Sequence, residues 1–177
     1  MTLASTTVSF LGTSYRLSSA VELSSFAQFE AGQAGVICAG MDPWARYRMT
    51  APELAAFFAQ AEPGAPRFAI RVNGRLEGAL VVRTNWLAGP YIQLLALAPN
   101  AQGQKIGSLV MDFVEGQARK TTARNLWVAA SDFNAAALRF YERHGFVRIA
   151  EIDALLRNDR NEALLRKKLF ASGFSIS

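Results

Sequence analysis

The chain has 177 residues, 51% of them hydrophobic and 19% charged, with a mean hydropathy of +0.12; this suits an ordinary globular core and excludes a disordered or fibrous protein. A lone cysteine (Cys38) and a lone histidine (His144) exclude an intrachain disulfide and a Cys/His zinc site, and no run reaches the roughly 18 apolar residues that span a bilayer. The net charge is +5 with a pI near 9.8, and residues 101–177 hold twelve basic and eight acidic side chains against seven and six in the lysine-free residues 1–100. Either a solvated basic surface or an anion site beyond residue 100 accommodates that excess.

The opening MTLASTTVSFLGTSYRL lacks a basic segment followed by a long apolar core, so a soluble, cytoplasmic protein is expected, organised as one domain over residues 1–177. Periodicity is weakest before about residue 62. VSFLGTSYRL has mixed strand character, VELSSFAQF reads as a short helix, and GMDPWARYRM, with Pro43 and its aromatic residues, reads as an ordered loop. TAPELAAFFAQA is a firmer helix, with Thr50 as N-cap and Pro52 and Glu53 in its first turn.

RFAIRV and RLEGALVVRT flank Asn73-Gly74, a dipeptide that accepts positive φ at both turn positions and predicts an antiparallel hairpin. After Gly89-Pro90, the apolar run YIQLLALAP reads as a strand buried on both faces and stopped by Pro99. Ile106, Leu109, Val110, Phe113, Val114 and Ala118 then follow helical spacing and form one buried stripe. NLWVAAS is a strand and NAAALRFYERH a helix closed by Gly145; FVRIAEI and EALLRKKLF are two last strands joined through RNDRN. This order predicts an α/β fold with a mixed sheet and helices packed against it.

Two segments carry the chemistry. In LALAPNAQGQKIG a strand runs through a small polar loop straight into a helix, whose unpaired first N–H groups and positive dipole end face the loop mouth. That geometry suits phosphate, and Gly103 and Gly107 let the backbone approach an anion, although similar turns occur without a ligand. In NAAALRFYERHGF, read alone, Asn134 caps a helix, Phe140 and Tyr141 fill a core, and Gly145 ends the helix. Taken together, LALAPNAQGQKIGSLVMDFVE followed by ASDFNAAALRFYERHGF resembles the GNAT family of N-acetyltransferases in motif order and spacing, over about residues 67–169.

The resemblance implies a mixed, mostly antiparallel twisted sheet with helices on both faces. It implies acetyl-CoA as cosubstrate, a splayed strand at Leu95, Ala96 and Leu97 that pairs with the pantetheine arm, and a pyrophosphate loop formed by Gln102, Gly103, Gln104, Lys105, Ile106 and Gly107. Asn134 matches a residue that contacts the coenzyme, and Tyr141 matches the tyrosine that often protonates the departing thiolate. A phenol is a weaker acid than a thiol, so Tyr141 acts as a stabiliser first and an acid second.

Two positions depart from the family pattern. Lys105 stands where the family usually has glycine, and ordinary helical φ/ψ is inferred there; its ammonium either adds charge near the phosphates or points to solvent. Gln93 and Ala129 stand where many relatives place a glutamate base. Deprotonating a lysine-like amine at neutral pH costs about 4 to 5 kcal/mol, which leaves a water held by Gln93, the strand carboxylates Glu151 and Asp153, an amine of lower pKa or a backbone-and-water relay as ways to lose that proton.

Trp44 and Tyr47 fall where family members cover the acceptor site. Asp42 beside them either attracts a cationic amine or opens a turn, and Trp86 borders the same cleft or covers the sheet edge. His144 reads as a helix-end residue favoured by the dipole, and Cys38 as a small buried apolar group. The expected activity is transfer of acetyl from acetyl-CoA to a primary amine of a small molecule or peptide, by direct attack in a ternary complex and without a metal. A catalytically silent acyl-CoA sensor is the alternative; a nucleic-acid-binding module, motivated by pI alone, is disfavoured by the lysine-free first hundred residues. No membrane partner is expected, and exposed sheet edges make a homodimer possible.

Overall fold

The computed structural model describes residues 7–10 and 12–169, so the first six residues, Leu11 and Phe170 of two predicted strands, and the residues after Phe170 lie outside it. Its elements in order are β1 (Ser14–Arg16), β2 (Val21–Ser24), α1 (Glu30–Ala39), α2 (Ala51–Ala59), β3 (Arg67–Val72), β4 (Arg75–Trp86) and β5 (Gly89–Leu97). A 3-10 turn (Pro99–Ala101) leads to α3 (Ile106–Arg119), β6 (Asn125–Ser131), α4 (Ala135–Arg143), β7 (Val147–Asp153) and β8 (Asn161–Lys168). The strands form one eight-stranded sheet in the order β1-β2-β3-β4-β5-β6-β8-β7, antiparallel throughout except between β5 and β6. No helix of the described residues is long and apolar enough to cross a membrane.

Local chemistry sets several boundaries as predicted. Asn73 and Gly74 take φ of 51° and 78° and close the β3–β4 hairpin. Thr50 caps α2 in a reciprocal box: its Oγ1 accepts from Glu53 N at 3.4 Å while the Glu53 carboxylate accepts from Thr50 N at 2.8 Å. The α3 stripe faces the sheet, with Ile106, Val110, Val114 and Ala118 buried against Ile70, Leu80, Ile92, Leu126 and Leu165. A second core, with Ala34, Cys38, Leu54 and Phe58 of α1 and α2 over Ala79, Val81, Leu94 and Ala96, covers the opposite face. Helices therefore pack on both faces.

Two expectations are corrected here. VELSSFAQF is not a helix: Val21–Ser24 alternates buried and half-buried and pairs with both β1 and β3, so its period is two. The helix comes later, as α1, which carries Gly32 and Gly35 within it. Gly35 is there for contact, because a Cβ at that position would lie 2.4 Å from the Ala51 carbonyl oxygen of α2. The second correction concerns β5, whose residues alternate buried and half-buried instead of being buried on both faces.

Candidate functional site

The site begins with a break in strand pairing. β5 and β6 register only through Tyr91↔Trp127 and Ile92↔Val128; beyond that, β5 continues beside β4 to Gly78↔Leu97 and β6 beside β8 to Ser131↔Glu162. The two strands diverge into a wedge, leaving β5 without a strand partner on its β6 side. A bulge lies at the start of the divergence: Val81 pairs with Leu94 and Val82 with Ile92, so Gln93 is the extra residue. Its effect is to turn Ile92 into the core under α3 and Leu94 into the core under α1 and α2.

A cleft of about 880 Å³ occupies the wedge. Leu95, Ala96 and Leu97 line it from β5, and Gln102, Gly103, Lys105, Ile106 and Gly107 line it from the loop and the first turn of α3. Asn134 and Tyr141 line it from α4. Of the residues singled out in sequence for coenzyme binding, only Gln104 faces elsewhere; its Nε2 donates to the Asn100 carbonyl at 2.6 Å. Gln102 Nε2 donates to the Leu97 carbonyl at 2.9 Å, tying the loop to the end of β5.

The inferred helical conformation of Lys105 is corrected by the structure: Lys105 is left-handed, at φ 62° and ψ 6°, two residues after Gly103 at φ 75°. The chain must reverse between the 3-10 turn and Ile106 for the first N–H groups of α3 to face the cleft, and a non-glycine residue bears about 1–2 kcal/mol for that turn. Lys105 lines the cleft, whose loop takes the αL geometry in which successive N–H groups converge. Gly107 lets α3 and α4 close on each other, since an added Cβ would lie 3.1 Å from the Phe140 ring and push it back by a few tenths of an ångström.

Asn134 does cap α4, its Oδ1 accepting from Ala137 N at 3.1 Å. Tyr141 is only 6% exposed, and burial, with the charge of Tyr91 added, pushes its phenol well above the ordinary tyrosine value. It therefore stays protonated and is a hydrogen-bond donor. His144 does more than end its helix: Nδ1 donates to the Phe140 carbonyl (2.8 Å), and Nε2 is hydrogen-bonded to the Ser108 hydroxyl (3.0 Å) in the first turn of α3.

Residues 41–44, including Trp44, line the opposite side of the cleft. Asp42 is already partnered by Arg46 at 2.7 Å, and Trp86 packs on Tyr91 and Trp127, with ring centroids at 5.0 and 5.3 Å, where β5 and β6 are still paired. Burial pushes the Cys38 thiol up to about 12, which removes it as a nucleophile. Among the carboxylates weighed as bases, Glu151 is exposed and held by Arg148 at 2.8 Å, and Asp153 is exposed. Gln93 keeps its Oε1 buried with no hydrogen-bond partner among the described residues.

The carboxylate that sequence reasoning missed is Glu162. It is 4% exposed, accepts a short hydrogen bond from the Tyr47 hydroxyl, and sits across from Ser131, whose Oγ is 2.8 Å from the same hydroxyl. Burial raises its pKa and the charge of Asp132 adds to the rise, against the lowering effect of the hydrogen bonds from Tyr47 and Ser131. Its signal in sequence is the β8 alternation: Ala163 and Leu165 enter the α3 core, which sends Glu162 to the other face.

The class of protein is thus an α/β fold with a parallel junction that splays over a helix N-terminus and a second helix closing the cleft. The profile of the acetyltransferase (GNAT) family matches residues 30–146, and the chain belongs to that family. It is 30% identical over 95 residues to a streptothricin acetyltransferase of Streptomyces lavendulae; the match covers 53% of this chain, which spans half of that protein's length. The fold is shared with the ribosomal-protein-S18-alanine N-acetyltransferase of Escherichia coli, at TM-score 0.67 and 16% identity, covering 89% of this chain and 99% of that one. It is shared also with a GNAT family acetyltransferase from Elizabethkingia anophelis with acetyl-CoA bound, at TM-score 0.55 and 16% identity, covering 59% and 76%.

Proposed function

We propose that this chain transfers the acetyl group of acetyl-CoA to a primary amine by direct attack with both reactants bound. One observation carries the reading: a single cleft, at the one parallel junction among the described strands, gathers residues 95–97, the loop through Gly103 and Lys105, and Tyr141. These residues fit the carrier. The unpaired edge of β5 suits an extended arm that carries amides, and the converging N–H groups before α3, with the Lys105 ammonium, suit a pyrophosphate. Acetyl-CoA supplies an activated acyl carbon and a thiolate leaving group.

The protein's part is positioning and charge stabilisation. Main-chain N–H groups of β5 beyond the bulge stabilise charge on the thioester oxygen. Tyr141, kept protonated by burial, hydrogen-bonds the departing sulfur, and forming a full phenolate there is disfavoured. The match to streptothricin acetyltransferase makes streptothricin the first compound to assay, ahead of peptide N-termini.

Calorimetry with acetyl-CoA and CoA, followed by thiol release from acetyl-CoA against streptothricin, spermidine, an aminoglycoside and a peptide N-terminus, tests the reading. Binding with turnover of at least one amine is expected, and Tyr141→Phe slows that turnover on the order of 10²-fold. Binding without turnover on any amine would instead favour a silent acyl-CoA sensor. No heat at millimolar ligand ends both readings.

A further inference from the structure

Glu162 is a buried carboxylate without a countercharge. Among the described residues it forms no ion pair, and the charged groups around it do not supply one: Asp132 is of like sign, while Arg46 and Arg160 lie over the Phe133 ring, at 4.8 and 5.6 Å, and pair with Asp42 and Asp159. Tyr47 from the segment after α1, Ser131 from β6 and Tyr91 from β5 are its polar neighbours, and Ile152 of β7 pairs with it across the strands. Arg166, four residues along β8 on the same face, lies over the Trp127 ring at 5.7 Å and forms no ion pair among the described residues. A buried anion with only hydroxyl donors is costly unless a cation arrives. The position is also pointed. Tyr47 follows the cleft-lining residues 41–44 and packs on Phe133 at 5.6 Å; Ser131 precedes the cleft-lining Phe133 and Asn134.

We propose that Glu162 is the sink for the acceptor amine's proton, reached through the Tyr47 hydroxyl, and that the acceptor is therefore an amine that arrives as an ammonium ion. The inference rests on the acetyltransferase reading above. In the step, an ammonium N–H bond breaks as its proton joins the Tyr47 oxygen, while the Tyr47 O–H proton passes to the Glu162 carboxylate. The phenol never stands as phenolate, consistent with burial pushing its pKa up to about 12. The amine nitrogen then bonds to the acetyl carbon and the carbon–sulfur bond breaks with its pair on sulfur. Of the two protons the ammonium loses overall, one leaves through Glu162 to solvent and the other ends on the thiol. Glu162 acts through Tyr47, so it is a positioning and proton-accepting residue, and Ser131 keeps the pair aligned.

The test is the pH dependence of kcat/KM for the fastest amine of the panel in the wild type, Glu162→Gln and Tyr47→Phe, with calorimetric acetyl-CoA binding measured alongside. The wild type is expected to show a plateau between the raised Glu162 pKa and the amine's own pKa. In Glu162→Gln, which keeps an acceptor for the Tyr47 hydroxyl, the plateau is lost: kcat/KM climbs about tenfold per pH unit toward the amine's pKa and is on the order of 10²-fold lower at neutral pH. Tyr47→Phe is expected to give the same profile. A variant that binds acetyl-CoA and keeps the wild-type plateau overturns this inference alone, whereas a wild type that turns over no amine overturns the acetyltransferase reading beneath it.

Discussion

Glu30 and Glu162 are both buried carboxylates, 8% and 4% exposed, but they sit in opposite kinds of surroundings. Glu30, at the start of α1, accepts from Arg71 Nη2 and Nε, the latter at 3.1 Å, and from Ala27 N at 2.6 Å. Its charge is matched, and α1 and α2 approach each other closely at Gly35. The cleft side collects the reverse: Glu162 without a cation, Gln93 Oε1 without a donor, and Lys105 in a left-handed turn. Burial alone does not mark function. Nor does every unpaired atom, since Ser24 Oγ on β2 is buried without a partner among the described residues, away from the cleft; a buried carboxylate without a countercharge does, because the folded state bears a cost there that a ligand can relieve.

Three measurements sharpen or break this contrast. The largest effect belongs to Glu30→Ala, which strands the Arg71 guanidinium and is expected to cost about 3–5 kcal/mol in chemical denaturation. A loss below about 1 kcal/mol would show the pair to be ornamental. Next is Gln93→Met, which replaces an unsatisfied amide with an apolar chain of similar size and is expected to raise stability by about 1 kcal/mol. A fall instead would mean that the amide oxygen has a partner.

The smallest effect is the pH slope of stability due to Glu162. Its folded-state pKa lies above the unfolded value, so the folded state binds more protons across that interval. Stability is thus fullest below the ordinary carboxylate range and declines as pH rises through the folded value. Thermal unfolding of Glu162→Gln across the same range is expected to show a shallower decline than the wild type, and an unchanged slope would count against a raised carboxylate.

The features legible in sequence were those decided locally. The Thr50 cap, the Asn73-Gly74 turn and the α3 stripe depend on neighbours within a few residues, and the order of β5, loop and α3 brought the cleft's lower wall with it. What stayed hidden depends on distant chain. Gly35 breaks a helix unless α2 lies against it, so α1 was unreadable without its partner. The turn at Lys105 is dictated by where the cleft lies, which overrides the residue's own preference. For Glu162, strand alternation gives the face but not the Tyr47 ring that covers it, contributed from a loop in the other half of the chain.

The hydrogen bond between Tyr47 and Glu162 joins residues 115 positions apart, and the strand bearing Glu162 enters the sheet between β6 and β7. Until that insertion happens, β7 has no neighbour on either side among the described strands and Tyr47 has no carboxylate to bond. In chain order the β5–α3 wall of the cleft precedes β8, and contacts of such long sequence separation are slow to form. The contact between Tyr47 and Glu162 is therefore a late event in folding, set by the arrival of β8.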